Sequence, residues 1–222
     1  MDKHAEMAMV TKVEQQPKNR HRYNVYLNDE YAFSVHEDIL VKHRILKGEA
    51  IHRDTVREAV KDDERHQSYL EAIRLLGRRP RSKQETRTYL IRKGYGQQMV
   101  NETIKRLERE GFLDDEDFAK RWAESRVISQ RKGRRMARME LAAKGVAEEE
   151  IEAALAQISD EEERASALEA ARKKWSTLSG EVREKQRKLL AFLVRRGFAY
   201  DLALDVTKEM AGSCDADASD GD

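Results

Sequence analysis

Six of the thirteen residues from Arg126 to Arg138 carry positive charge: Arg126, Arg131, Lys132, Arg134, Arg135 and Arg138. A second group, Arg78, Arg79, Arg81 and Lys83, lies earlier in the chain. Clustered guanidinium and ammonium groups suit phosphate recognition, because they displace the counterions of a nucleic-acid backbone and need proximity more than any fixed motif. Both groups straddle a break between two helices. The helix that starts after Gly133 would add backbone N–H groups aimed at an anion. Solvated charge on a helical surface is the plain alternative for either run alone. Two runs at matching places favour one continuous positive stripe.

Other chemistries find little material. The six histidines (His4, His21, His36, His43, His52, His66) are scattered through the N-terminal third without metal-ligand spacing, so they read as surface residues and no metal site is expected. Lys93-Gly94-Tyr95-Gly96 lacks the downstream Gly and Lys of a phosphate-binding loop. The acidic runs Asp114–Asp117 and Asp160–Glu163 stand where helices begin and read as caps. Trp122 and Trp175 read as core anchors, because few aromatics accompany them as stacking platforms. No catalytic constellation, cofactor motif or small-molecule site emerges, and a non-enzyme is expected.

The 222 residues have a net charge of +1, which hides a polarity. Residues 1–64 carry −2, residues 65–147 carry +10, and residues 148–222 carry −7. Charged residues make up 38% of the chain, aromatics 6%, and only two prolines occur. That composition favours a surface-rich helical protein over one large compact core. No apolar run approaches the roughly 20 residues of a membrane span, and Met1-Asp2-Lys3-His4 leads into nothing like a signal sequence. The one cysteine, Cys214, permits no internal disulfide. A monomeric, cytoplasmic protein is expected.

The elements that must position the cations follow from periodicity. Val10, Lys12, Glu14, then Tyr23, Val25, Leu27, then Tyr31, Phe33, Val35 alternate as three short strands, with Asn28-Asp29-Glu30 as a hairpin connection. This antiparallel meander needs a helix to cover it, drawn from Glu37–Ile45 or Arg53–Arg65, with Gly48 as the break between them. From Gln67 a helical repeat begins. Leu90-Ile-Arg-Lys-Gly-Tyr95 returns as Leu141-Ala-Ala-Lys-Gly-Val146 and Leu193-Val-Arg-Arg-Gly-Phe198. Each copy reads as a helix stop, with Gly in the left-handed position and the next apolar residue folding back.

Val100, Ile104 and Leu107 lie 6, 10 and 13 residues beyond Gly94, and Ile151, Leu155 and Ile158 repeat those offsets beyond Gly145. Beyond Gly197 they give Ala203, Thr207 and Met210, a weaker final copy. The expected fold is mainly α: tandem three-helix repeats in an elongated curved array, preceded by the small β meander and a helix. The boundaries expected are 1–66, 67–113, 114–158, 159–211, and a disordered acidic tail at 212–222.

Phe118-Ala-x-x-Trp122-x-x-Ser-Arg126, then Arg131-Lys-Gly133, then Glu140-Leu-x-x-Lys-Gly-Val146 resembles the central motif of the RecX family. Tyr69 through Leu76, Arg79, Ser82, Leu90-x-x-Lys-Gly94 and Gly111-Phe-Leu-Asp-Asp115 resemble its first repeat. The likeness runs from about Tyr69 to Met210, and the meander is similar to an extra N-terminal region of some members. It implies a regulator of homologous recombination that lies in the groove of the RecA–single-stranded DNA filament. There it would restrain ATP hydrolysis and strand exchange and promote disassembly. The basic junction Arg126, Arg131, Lys132, Arg134, Arg135 matches the family's basic segment; this chain has Arg134-Arg135 after Gly133, where many members have Pro. The alternatives are a helix–turn–helix-like module that binds duplex DNA alone, or a helical-repeat adaptor for another protein.

Overall fold

The computed structural model describes residues 7–217, with side chains through Gly212. Two compact units emerge. One holds the chain up to Arg79 together with Tyr89–Arg109; the other holds Pro80–Thr88 and the chain from Glu110 onward.

The first unit opens with an antiparallel sheet of four strands, not three: β1 (Met7–Gln16), β2 (Asn19–Leu27), β3 (Glu30–His36) and β4 (Ala50–His52), in the order β3-β2-β1-β4. The fourth strand pairs Met7, Ala8 and Met9 with His52, Ile51 and Ala50. Three residues are too short for an alternation to stand out, which is why the sequence does not reveal it. Asn28 and Asp29 both take positive φ (50° and 71°), the backbone that a two-residue hairpin turn requires. Helix α1 (Glu37–Lys42) follows β3 directly, and α2 (Arg53–Leu76) follows β4.

Helix α2 is a single 24-residue helix, so the expected change from meander module to repeat at 66/67 falls inside it. Its first half covers the sheet, with Ala59 joining Val10, Val25, Phe33, Val35, Ile39, Ile45 and Ile51 in one core. Its second half packs on α4 (Gln97–Arg109), where Ser68 and Thr103 share a buried 2.9 Å hydrogen bond and the Arg106 guanidinium lies 3.7 Å from the Tyr69 ring centre. Helix α3 (Lys83–Arg92) lies between them in sequence.

The second unit contains two complete three-helix repeats. In the first, α5 (Asp115–Glu124) continues into a π-helical turn (Ser125–Ser129), followed by α6 (Arg134–Ala143) and α7 (Glu148–Leu155). In the second, α8 (Asp160–Trp175), α9 (Val182–Arg195) and α10 (Tyr200–Asp217) follow. Each repeat has its own core, one around Phe118, Leu141 and Ile151, the other around Trp175, Leu193 and Phe198. Thr207 occupies the third copy's apolar position by donating its hydroxyl 2.7 Å to the Ala203 carbonyl, so a polar residue stays buried without an unmet donor. Helix α10 runs on to Asp217, so residues 212–217, expected to lack structure, are helical backbone instead. The remainder of that expected tail, 218–222, lies outside the described residues, as do the Cys214 side chain and His4.

The three helix stops are built alike. Gly94, Gly145 and Gly197 have φ of 94°, 73° and 89°. The N–H groups of Tyr95, Val146 and Phe198 reach back to the carbonyls of Leu90, Leu141 and Leu193, each at 3.3 Å. This is the Schellman pattern, in which the residue after Gly satisfies a carbonyl that the helix leaves open. Helix starts match expectation too. Asp114 accepts from Asp117 N–H at 3.0 Å, Ser159 and Glu162 form a reciprocal capping box, and so do Ser82 and Glu85.

Candidate nucleic-acid interface

The two junctions that carry the cations rest on the helix stop of the following repeat. At the first, Ser82 Oγ donates 2.6 Å to the Lys144 carbonyl, and Lys144 Nζ reaches Glu85 at 3.1 Å. At the second, Gly133 N–H donates 2.9 Å to the Arg196 carbonyl, Arg135 N–H donates 3.2 Å to that of Gly197, and the Arg196 side chain donates 2.9 Å to the Gln130 carbonyl. The backbones approach so closely that a Cβ on Gly133 would lie 2.1 Å from the Gly197 oxygen. Arg131, at φ 54°, turns the chain from the π-helical turn into Gly133. Lys144 and Arg196, the cations before Gly145 and Gly197, expected only to complement a helix dipole, therefore link consecutive repeats.

This contact changes what the cations can do. Glu140 accepts from Arg126, from Lys132 at 2.7 Å and from Trp122 Nε1 at 3.0 Å. Burial alone would raise the Glu140 carboxyl, but Lys132 and Arg126 outweigh it and hold it below the ordinary value. Trp122 is half-buried between two cations, with Arg126 at 3.8 Å and Lys144 at 4.2 Å from its ring; Trp175 is the buried core anchor expected. Arg131 pairs with Glu169; Arg134 with Asp160 at 2.9 Å and Glu163 at 3.3 Å; Arg138 with Glu148 at 2.7 Å and with Glu152. Arg135 is exposed and has no side-chain partner among the described residues. In the earlier group, Arg78 is exposed, Arg79 is engaged, Arg81 is half-buried, and Lys83 lies 4.0 Å from Glu150.

The N–H groups that start α6 are occupied as well. Arg134 N–H donates 2.8 Å to Glu163 and Arg135 N–H goes to Gly197, so this terminus does not present the bare anion site that the sequence suggested.

Sequence reasoning missed a second source of charge. Lys173, Lys174 and Arg196 converge with Arg131 on an open cleft that Phe192 and Ser129 also line. Lys174 and Arg196 lie 5.8 and 5.3 Å from the Phe192 ring centre. The recurrence of a cation before every stop glycine was the available signal. The missing piece was that stop and preceding junction touch.

The histidines also depart from expectation. His21 and His36 stack at 5.9 Å, and His36 and His66 lie at 4.4 Å, although their sequence positions look unrelated. The end of β3 and the middle of α2 bring them together around buried Asp63, which accepts from His36 N–H at 2.7 Å and Arg22 at 2.9 Å. Burial first, then His36 and Arg106, hold His66 below its ordinary value.

Comparison with known proteins fits this architecture. Residues 8–52 match the RecX N-terminal domain, 69–107 the first three-helix domain of RecX, 114–155 the second and 160–207 the third. The regulatory protein RecX of Clostridium botulinum (strain Eklund 17B) is 32% identical over 91% of this chain and 96% of its own length. That of Oceanobacillus iheyensis is 31% identical over 95% and 80% respectively. A crystal structure of regulatory protein RecX superposes with a TM-score of 0.72 at 25% identity, covering 90% of this chain and 99% of that one. No helix among the described residues is long and apolar enough to cross a membrane. With four consecutive domain matches and relatives that align over most of this chain, the chain belongs to the RecX family of regulatory proteins.

Proposed function

We propose that this protein binds the RecA–single-stranded DNA filament as a monomer and restrains its ATPase, strand exchange and stability, with no reaction of its own. Membership of the RecX family supports the partner. The observation that carries the DNA contact is the cleft in which Arg131, Lys173, Lys174 and Arg196 converge, with exposed Arg135 on the same junction. These groups answer the phosphates of a single strand, and Phe192 offers an apolar face beside them. Arg126, Lys132, Arg134 and Arg138 act one step back: their carboxylate partners hold the junction in shape, and their charge still adds to the local field, whereas the Arg131–Glu169 pair lies open at the cleft and can exchange its carboxylate for a phosphate.

The test is RecA ATPase on single-stranded DNA, with filaments imaged in parallel, at ratios from sub-stoichiometric to equal. A fall in turnover and shorter filaments are expected. Unchanged ATPase and unchanged length at equal ratio refute the reading.

A further inference from the structure

We infer that His36, Asp38 and His66 form a binding site for a divalent transition-metal ion of zinc type in the first unit. His36 ends β3, Asp38 lies in the first turn of α1, and His66 lies on α2. Their donor atoms all fall within 4.8 Å of one another. Two of the three separations are specific: His36 Nδ1 to Asp38 Oδ2 is 3.4 Å, and His66 Nε2 to the same oxygen is 3.6 Å. A tetrahedral ion with bonds of about 2.1 Å sets its ligand atoms roughly 3.4 Å apart, so these gaps are the edges of such a polyhedron. Two imidazoles and one carboxylate are the donor set of zinc sites that keep a fourth position open.

A second, independent observation points to a ligand. His66 Nε2 is buried and has no hydrogen-bond partner, an omission that folded proteins rarely tolerate without an ion or water. His36 Nδ1 accepts only a 3.3 Å bond from Asp38 N–H, which an ion would replace. The neighbouring triad His21, His36 and Glu37 fits less well, because His21 Nδ1 already meets Glu37 at 2.7 Å. The cation Arg106 lies near His66 and opposes a metal, while Asp63 on the same helix favours one. An ion here would tie strand end, short helix and long helix together, three segments otherwise joined through Asp63, the Asp62 ion pairs and the apolar core.

The test uses the full chain. Cobalt(II) is titrated in and followed by its visible absorption, then displaced with zinc, and thermal unfolding is recorded over a zinc series. One equivalent of cobalt in a four-coordinate spectrum, and a melting temperature that climbs with zinc, are expected. Asp38→Asn removes an exposed carboxylate and leaves the fold intact; it and His66→Gln should each weaken binding by more than the roughly 10–100-fold lost on disturbing a group outside the coordination sphere. His21→Gln, which alters a ring stacked on His36 but removes no ligand atom, should cost no more than that roughly 10–100-fold. The inference is overturned if no spectrum develops, if Asp38→Asn binds as the parent does, or if His21→Gln abolishes binding.

Discussion

Replacing Gly133 by Ala tests the contact between junction and helix stop directly. Its backbone (φ −73°, ψ 159°) suits any residue, so alanine meets no torsional objection there. The obstacle is space: the new Cβ would lie 2.1 Å from the Gly197 oxygen and 2.2 Å from Phe198 N, both backbone atoms that cannot swing aside. The two segments must part by about 1 Å, which lengthens the 2.9 and 3.2 Å bonds from Gly133 and Arg135 N–H beyond useful range. Overpacking costs about 1–3 kcal/mol and each lost hydrogen bond about 1 kcal/mol, so Gly133→Ala should destabilise by about 3–5 kcal/mol. Gly96→Ala is the control. Gly96 also precedes a helix, α4, but has nothing within 4 Å, so it measures the local cost of the exchange alone. Urea unfolding followed by circular dichroism serves both variants. Tryptophan fluorescence adds specificity, since Trp122 and Trp175 both belong to the second unit. If the two variants lose stability equally, within about 0.5 kcal/mol, the close contact is not what holds the junction.

Arg135→Ala should lower the slope of log affinity against log salt for single-stranded DNA by about 0.7, the share of one phosphate contact, and leave stability within about 0.5 kcal/mol; an unchanged slope in a fluorescence anisotropy titration counts against its contact with DNA. Glu140→Gln should behave oppositely: by releasing Arg126 and Lys132 it steepens the slope by up to about 1.4 while costing about 1.5–3 kcal/mol of stability, both measurable on one preparation. Acid unfolding should expose Asp62. Burial raises this carboxyl, but Lys42, His43 and Arg65 together bring it down to about 2 from 3.8. A depressed folded value means that its stabilisation is complete above the unfolded value and is lost as pH falls from 3.8 toward 2. Asp62→Asn should therefore reduce stability at neutral pH and flatten the acid limb of the first unit's transition; an acid limb identical to the parent's contradicts the ion-pair account.

What the sequence made legible was local. The stops at Gly94, Gly145 and Gly197, the helix starts at Asp114–Asp117 and Asp160–Glu163, and the Asn28-Asp29 turn are each determined by a few neighbouring residues, and each is found as the spacing suggests. The misses all needed distant partners. Strand β4 exists because Met7–Met9 offers it an edge more than forty residues away in the chain. The histidines converge because β3 and α2 pack around Asp63. The charge clusters looked free because their carboxylates are not helical neighbours: Glu169 is 38 residues beyond Arg131, and Glu163 is 29 beyond Arg134. Periodicity reports which face of a helix is buried, not which opposite charge arrives from the next repeat.

The overlap of repeats also gives the chain a direction. Each cationic junction is completed by a glycine stop that lies farther along: Ser82 by Lys144, and Gly133 by Gly197. During synthesis from the N-terminus, a junction therefore emerges before the segment that fixes it. The Arg131–Arg135 segment gains its backbone support from the last helix stop only after residue 197 has left the ribosome. Like roof tiles laid from one eave, each row is held down by the row placed after it. A chain that stops short of the last repeat would keep the Arg131–Arg135 charges, but it would lose the shape in which they are presented and the Lys173, Lys174 and Arg196 that share their cleft.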